Sequence, residues 1–444
     1  MAPIGGRRTR DLGVRIDVDA RWWDPDREPL LEPPCALRIE SVVHEIGAAL
    51  RSRRPRATER GVASGPAGIA MLYGHLSDAF PGSGYDEDAL REIELAIDEL
   101  EGVGLGSGLF SGFPGIGWTI AHLQRLTPGL FGSDDPLEGI DDHVASVLDV
   151  PRWTGDYDLI EGLVGLGVYG LERGQAGRGR AIAGGAALHL AQLASWTDEG
   201  ATWFTAPDLL PEWQRRIAPD GYHNLGLAHG IPGVLAFLAA MDVQGWLGDP
   251  GRELLAGGVR WILCHGLPPG SASAFGSWWG SRLEETRSRV AWCYGDLGVA
   301  SALLQAARRL GRGDWEARAI AIAGDAASRP MPDWGVLDAG LCHGATGNAH
   351  IFHRFARSTG DERFRTAAMA SFESALAFRR PGEGIAGFLR PGGRDESEWT
   401  SSADPGFLTG AAGIALALLA AVRPSESGWD RLLLLDLPDR AGDG

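Results

Sequence analysis

The sequence contains no lysine, so all 41 of its basic side chains, in a chain of 444 residues, are arginines. Aspartate and glutamate together number 58, which gives a formal net charge of −17 at pH 7. Nucleic acid is disfavoured as the main partner, because its phosphate backbone is bound by clustered positive charge. The charge thus excludes one class of partner without identifying a substrate.

Cysteine is also scarce, with four residues in the chain: Cys35, Cys264, Cys293 and Cys342. So few cysteines exclude a disulfide framework in a chain of this length and favour a reducing compartment, the cytoplasm. Long apolar segments are missing too. The longest uncharged stretch, 408–422, is too short to span a bilayer and predicts a buried core helix. We expect no secretory signal, because charged residues follow Arg7-Arg8 where an export signal has an apolar stretch.

A Gly-x-x-Gly motif ahead of an apolar segment occurs seven times along the chain. The copies begin at Gly65, Gly112, Gly162, Gly230, Gly295, Gly344 and Gly410, so they are 47 to 68 residues apart. A period of this size is typical of repeat architectures. The segments after the motifs are apolar on nearly every face, which predicts buried helices. The glycines permit positive φ angles and close backbone approach at the corners.

No segment shows sustained alternation of apolar and polar residues, so the predicted fold class is all-α. Each repeat is expected to supply an outer helix, a loop, a Gly-x-x-Gly corner and an inner helix. The inner segments have no polar face for an open solenoid, so we predict a closed α/α toroid of seven inner and seven outer helices. The predicted divisions are an N-terminal arm (1–36), the toroid (37–430) and a C-terminal tail (431–444). Insertions or loops are predicted over 128–141, 197–224 and 266–280.

Candidate metal ligands occupy equivalent positions in neighbouring repeats. Cys293 stands two residues before Gly295, and Cys342 stands two residues before Gly344 with His343 beside it. Because consecutive repeats are neighbours in space, we expect these three side chains to converge on one rim of the ring. Two cysteines and a histidine form a zinc-binding set, and three protein ligands leave the open position of a catalytic site. The alternative is inert packing of two buried cysteines.

A second Cys-His-Gly triplet, at residues 264–266, lacks this context. Leu267-Pro268-Pro269 follows it in place of a second glycine and an apolar segment. Since it falls at the end of a predicted outer helix, we interpret Cys264 and His265 as structural. Cys35 has no histidine nearby and is expected to pack against the domain.

Five corner segments carry further sequence motifs. They are Tyr157-Asp158-Leu159-Ile160-Glu161-Gly162, Gly226-Leu227-Ala228-His229-Gly230, Trp292-Cys293-Tyr294-Gly295, Gly340-Leu341-Cys342-His343-Gly344 and Gly406-Phe407-Leu408-Thr409-Gly410. Together they resemble the lanthionine synthetase C-like (LanC-like) cyclases. The resemblance implies an α/α toroid with one zinc ion that closes thioether rings in a dehydrated precursor peptide of leader plus core. In that reaction, cysteine thiols add to dehydroalanine or dehydrobutyrine, and a separate dehydratase prepares the substrate.

The candidate residues offer a chemical basis for that reaction. Zinc deprotonates a bound thiol, and thiolate addition generates an enolate that needs charge stabilisation and then a proton. His229, at the corner before the two cysteine corners, is the candidate acid. By the resemblance, Arg289 stabilises the enolate and Asp158 holds His229 or Arg289. Tyr294 either positions the substrate or a water molecule, or only packs.

Each of these assignments has a structural alternative. His229 is otherwise a structural histidine at a helix start, Arg289 a surface ion-pairing residue and Asp158 a helix N-cap. Two other functions stay open as well. One is a zinc-containing scaffold that binds peptide or glutathione without catalysis. The other is a thiol prenyltransferase, a toroid whose zinc ligands include a carboxylate.

Overall fold

The described part of the chain is built mainly from α-helices. The computed structural model describes Leu30 and residues 33–437, except 57, 103, 132–134, 176, 281–286, 393–399 and 424–427. The predicted arm 1–36 therefore lies mostly outside the described residues. Within this part of the chain, no helix is both long and apolar enough to cross a membrane.

Fifteen α-helices are present in the described residues. In chain order they are α1 (Pro33–Arg51), α2 (Pro66–Ala79), α3 (Tyr85–Gly102), α4 (Phe113–Leu126), α5 (Glu138–Leu148), α6 (Leu163–Arg173), α7 (Gly179–Leu193), α8 (Glu212–Ile217), α9 (Ile231–Val243), α10 (Asp249–Cys264), α11 (Asp296–Arg309), α12 (Gly313–Ser328), α13 (Ala345–Thr359), α14 (Glu362–Ala377) and α15 (Ala411–Val422). The predicted all-α class is confirmed. The first helix, α1, begins at Pro33, so its first four residues belong to the predicted N-terminal arm.

Short strands form three two-stranded antiparallel ladders. The pairs are β1 (Ser195–Thr197) with β2 (Gly200–Thr202), β3 (His223–Asn224) with β4 (Trp278–Trp279), and β5 (Arg390–Gly392) with β6 (Thr400–Ser402). The first two ladders fall within the insertions predicted over 197–224 and 266–280, apart from the first two residues of β1. The β3–β4 ladder joins these two insertions to each other.

Seven inner helices form a closed ring. They are α2, α4, α6, α9, α11, α13 and α15, and each begins directly after the first glycine of a Gly-x-x-Gly motif. Consecutive inner helices pack against each other, and α15 packs against α2. The seven other long helices lie outside them.

Each inner helix pairs with the outer helix that follows it, as α2 does with α3 and α13 with α14. The predicted order along the chain, an outer helix, a corner and an inner helix, is observed from α1 and α2 to α14 and α15. Most inner helices nevertheless pack more closely on the outer helix after them than on the one before. The last inner helix, α15, has no outer helix after it, so α1 packs against it instead. The beginning of the toroid is thereby tied to its end.

The corner glycines are required by close backbone approach. A Cβ atom on Gly347 would lie 1.8 Å from the carbonyl oxygen of Leu341, six residues earlier. In every other motif, the second glycine likewise faces the carbonyl of the residue six positions before it. The predicted second reason, a positive φ angle, applies to Gly295 alone among the first glycines. A side chain at these positions is excluded by the neighbouring backbone, whatever the φ angle.

Backbone hydrogen bonds of 2.8 to 3.4 Å link the seven corners into a circle. Each N–H donates to the carbonyl of the next corner: Ala63 to Phe110, Phe110 to Ile160, Leu159 to Ala228, Ala228 to Cys293, Cys293 to Cys342, Cys342 to Leu408, and Leu408 to Ala63. Nearly all these residues lie two positions before a first glycine. The circle sets equivalent corner residues side by side on one rim.

Residues 428–437 pack among the inner helices, at the ends that point away from the corners. Asp430 accepts hydrogen bonds from Arg354 on α13, and the Leu434 carbonyl accepts one from Gln305 on α11. Arg431 bonds to Glu172 near the end of α6. The segment predicted as a tail from residue 431 thus begins inside the core, where Leu432 to Leu435 are buried.

Candidate functional site

Three candidate ligands meet on the rim. Cys293 and Cys342 are joined by a backbone hydrogen bond of 3.3 Å between neighbouring corners, and His343 follows Cys342 directly. The two sulfur atoms and one ring nitrogen of His343 all lie within 4.8 Å of one another. Among the described residues no other group of histidine, cysteine and carboxylate side chains is arranged in this way. Cys293 is buried, and the other two ligands are half-buried.

The distances suit a tetrahedral zinc ion. Zn–S and Zn–N bonds of about 2.3 and 2.0 Å place a sulfur and a nitrogen roughly 3.6 Å apart. Cys293 Sγ and His343 Nδ1 are 3.9 Å apart. The other ring nitrogen, Nε2, faces Asp338 Oδ2 at 3.8 Å. A carboxylate behind the distant nitrogen of a ligating histidine is a common arrangement at metal centres, so the residues fit zinc.

The two thiols affect each other strongly. A hydrogen bond with Cys342 lowers the pKa of Cys293 well below its usual value, against the effect of burial, and His343 and Arg289 lower it further. The same hydrogen bond and burial raise the pKa of Cys342. The pocket therefore stabilises thiolate character on sulfur, which is the form that binds metals.

His229 and Asp158 form a hydrogen-bonded pair beside this cluster. Asp158 Oδ2 is 2.6 Å from His229 Nδ1, and Asp158 Oδ1 accepts a hydrogen bond from the backbone of Glu161. Carboxylate oxygens accept, so Nδ1 carries a proton and Nε2 is the atom left for chemistry. The sequence predicted that Asp158 holds either His229 or Arg289, and contact with His229 is observed. The N-cap position itself is taken by Gly162.

Charged neighbours control the protonation of His229. Burial lowers its pKa, but the hydrogen bond and negative charge of Asp158 outweigh that effect, and Cys293 and Asp156 raise it further. The net shift is upward. Burial, together with the charge of Asp158, raises the pKa of Asp156 to about 6. Glu161, whose pKa is also raised by burial, accepts a hydrogen bond from Ser111.

Tyr294 and Arg289 complete the set predicted from the sequence. The Tyr294 ring stacks on His229, with centroids 5.8 Å apart, and its hydroxyl lies 3.1 Å from Asn224 Nδ2. Arg289 is exposed and has no ion-pair partner among the described residues. Its charge still acts on both cysteines. A cation without an ion-pair partner in the described part of the chain thus stands near the site.

Two polar residues at the site were missed in the sequence. Asp338 lies behind His343, and Asn224 holds Tyr294. Both stand six residues before a first glycine, as Arg289 and Asp156 do. Alignment of the repeats at this position, as well as at the two positions next to the glycine, would have found them.

The remaining cysteines and histidines lie elsewhere. Cys264 is exposed at the end of α10, and the His265 ring stacks on Trp261 at 3.8 Å, so this triplet contributes nothing to the cluster. Cys35 packs partly buried against the core. His350 is buried and hydrogen-bonds Asp430, which places it in the core at the other end of the ring.

Comparison with known proteins agrees with this architecture. A sequence model of the family described as lanthionine synthetase C-like protein matches residues 57–434. The chain is 24% identical over 331 residues to the nisin biosynthesis protein NisC of Lactococcus lactis subsp. lactis, a match covering 68% of this chain and 75% of that protein. Among solved structures, a nisin cyclase is similar with a TM-score of 0.68 and 21% identity, covering 91% of this chain and 98% of the other. That likeness shows a shared α/α toroid fold. The chain belongs to the lanthionine synthetase C-like family.

Proposed function

We propose that this protein is a zinc-dependent lanthipeptide cyclase. It adds cysteine thiols of a dehydrated precursor peptide to dehydroalanine or dehydrobutyrine and so forms lanthionine or methyllanthionine rings. The observation that carries the proposal is the meeting of Cys293, Cys342 and His343 on the rim, with the Asp158–His229 pair formed between the next two corners. These neighbouring residues offer both ligands for a thiol-activating metal ion and a general acid.

The chemistry divides between the metal centre and the neighbouring side chains. Zinc held by Cys293, Cys342 and His343 would supply the acidity that keeps a substrate thiol deprotonated at neutral pH. The sulfur electron pair then forms a bond to the β-carbon of the dehydro residue. The π electrons of the double bond move towards the carbonyl oxygen and give an enolate. The negative charge of Asp338, 3.8 Å from His343 Nε2, favours a proton on that nitrogen and leaves Nδ1 for the metal.

His229 completes the addition by giving a proton to the α-carbon. Asp158 fixes its tautomer, so that Nε2 is the donating atom, and the raised pKa of His229 keeps a larger fraction of the ring protonated. Arg289, which is exposed and unpaired in the described residues, is available to stabilise the enolate by charge. Each residue acts at one stage of charge build-up or proton transfer.

The experiment uses a synthetic peptide with one dehydroalanine and one cysteine. Free thiols are counted by alkylation and mass spectrometry, with and without the protein. A cyclase consumes the thiol without a change in peptide mass, a prenyltransferase requires an isoprenyl diphosphate and adds its mass, and a binding scaffold does neither. Thiol loss no faster than the spontaneous background, in zinc-loaded protein, would refute the proposal.

Matched cysteine variants test the metal centre itself. Cys293→Ala and Cys342→Ala are expected to lose the zinc measured by mass spectrometry and with it ring closure. Cys264→Ala, an exposed cysteine away from the cluster, is expected to retain both. Zinc retained in the first two variants would contradict the ligand assignment. We further propose that the protein works in the cytoplasm, where thiol ligands stay reduced, on a peptide prepared by a separate dehydratase.

A further inference from the structure

Asn224 is a buried polar residue next to the site and has no part in the chemistry described so far. It is 2% exposed and ends β3, where it pairs with Trp278 of β4. Its side chain reaches from this ladder to the hydroxyl of Tyr294. A buried amide must satisfy its hydrogen bonds within the protein, so its partners define its role.

The orientation of the Asn224 amide is fixed by the backbone. The N–H of Gly226 lies 2.9 Å from one amide atom, and a backbone N–H can only donate. That atom must therefore be the oxygen, Oδ1. The nitrogen, Nδ2, then faces Tyr294 Oη at 3.1 Å and donates to it. The two ends of the amide cannot be exchanged without placing two donors against each other.

The hydroxyl of Tyr294 is consequently an acceptor towards Asn224. Its own proton is left for another partner, and the described residues offer none. His229 stacks on one side of the ring, and Gly226 lies close to the ring edge. A Cβ atom added to Gly226 would lie 2.7 Å from Tyr294 Cδ1. The O–H group thus belongs to a ring that stacks on His229 and directly follows Cys293 in the sequence.

We infer that Asn224 is a positioning residue that makes Tyr294 a hydrogen-bond donor to the reacting peptide. The recipient is the carbonyl oxygen of the dehydro residue, which gains negative charge as the thiolate adds. A donor fixed before the reaction stabilises that charge without reorganisation. The inference rests on the proposed cyclase function and assigns Tyr294 the donor role over simple packing.

The decisive variant is Asn224→Asp, which keeps the size and shape of the side chain. One carboxylate oxygen still accepts from Gly226, while the other now accepts from Tyr294 and draws its proton away from the substrate. We expect kcat for ring closure of the dehydroalanine–cysteine peptide to fall roughly 10- to 100-fold, which reaches the lower end of the range for loss of one such donor. KM and zinc content should change little.

Tyr294→Phe and the double variant show whether Asn224 acts through the hydroxyl. Tyr294→Phe should lose a similar factor in kcat, and adding Asn224→Asp to it should cause no further loss. An effect of the new negative charge alone would persist in the double variant and would overturn the inference. Tyr222→Phe is the matched control, because Tyr222 is the other tyrosine near Asn224 Nδ2, at 3.5 Å. It should leave kcat unchanged.

Failure of the inference can be separated from failure of the proposed function. If wild-type protein closes no ring, the cyclase proposal fails. If wild type is active and Tyr294→Phe matches its kcat, only the donor role fails, and this comparison holds even where Asn224→Asp does not fold. An unchanged kcat in folded Asn224→Asp would equally overturn it.

Discussion

Replacing Asp158 by asparagine should change how the reaction depends on pH. Asparagine keeps an oxygen that accepts from His229 Nδ1 but removes the negative charge 2.6 Å away. The pKa of His229 should therefore fall, since the charge of Asp158 no longer opposes burial, which lowers this pKa. An acid must be protonated to act, so the limb of the kcat profile on the basic side should move to lower pH.

The size of the effect follows from the exposure of the pair. The His229 side chain is 39% exposed, so water screens the interaction and about 1 kcal/mol is a reasonable value for the lost charge. Above both pKa values, the protonated fraction and hence kcat should fall by about fivefold. Well below both, His229 is protonated in either protein and the rates should converge.

The assay is kcat for thiol consumption across the pH range in which the protein stays folded and zinc-loaded. Asp156→Asn is the matched control: this neighbouring acid also raises the pKa of His229, but the structure shows no hydrogen bond between them, so its limb should move less. A uniform loss of rate in Asp158→Asn at every pH, with no movement of the basic limb, would refute the reasoning. It would mean that Asp158 orients other groups and leaves the acid unaffected.

Three further predictions concern the metal and the fold. Removing zinc with a chelator should abolish ring closure, and adding zinc should restore it, as measured by thiol counting. Gly347→Ala should destabilise by about 3 kcal/mol, because its Cβ meets a backbone carbonyl, whereas Gly184→Ala, in an open position of α7, should stabilise by about 0.5–1 kcal/mol in urea unfolding. Asp430→Asn should cost about 3 kcal/mol, since it leaves the charge of Arg354 buried. Burial raises the pKa of Asp430, but Arg354 and His350 bring it well below its usual value, so the wild-type advantage should begin to shrink below about pH 4 and be lost only as pH falls through the much lower pKa of the folded state.

The inner helices could be predicted because their starts are encoded locally. The second glycine of each motif faces the carbonyl six residues earlier, so the motif marks the same corner in every repeat. The packing of each inner helix on the outer helix after it could not be predicted, because amphipathic stretches carry no information about their partner. The same limit applies to 432–435, whose four leucines are buried among helices far away in the sequence.

The candidate ligands could be found because alignment on the glycines is also an alignment in space. Cys293 and Cys342 occupy the same position in successive repeats, and this position forms the circle of hydrogen bonds. Asn224 and Asp338 could not be assigned in this way. Their roles depend on the orientation of an amide and on a ring nitrogen facing a carboxylate, which only the folded chain specifies.

The candidate chemistry is confined to neighbouring corners in the circle of backbone hydrogen bonds. Asp158, His229, Cys293 and Cys342 belong to four consecutive corners, and each of these corners is bonded to the next. The three other corners carry Ser64, Ser111 and Thr409 at the position that holds His229 and His343 in the reactive ones. These hydroxyl residues are not metal or acid–base groups of the kind proposed here, yet their corners close the circle through Ala63 and Leu408. The repeat thus supplies seven equivalent corners, and the residues at four of them place the proposed metal ligands beside the proposed acid.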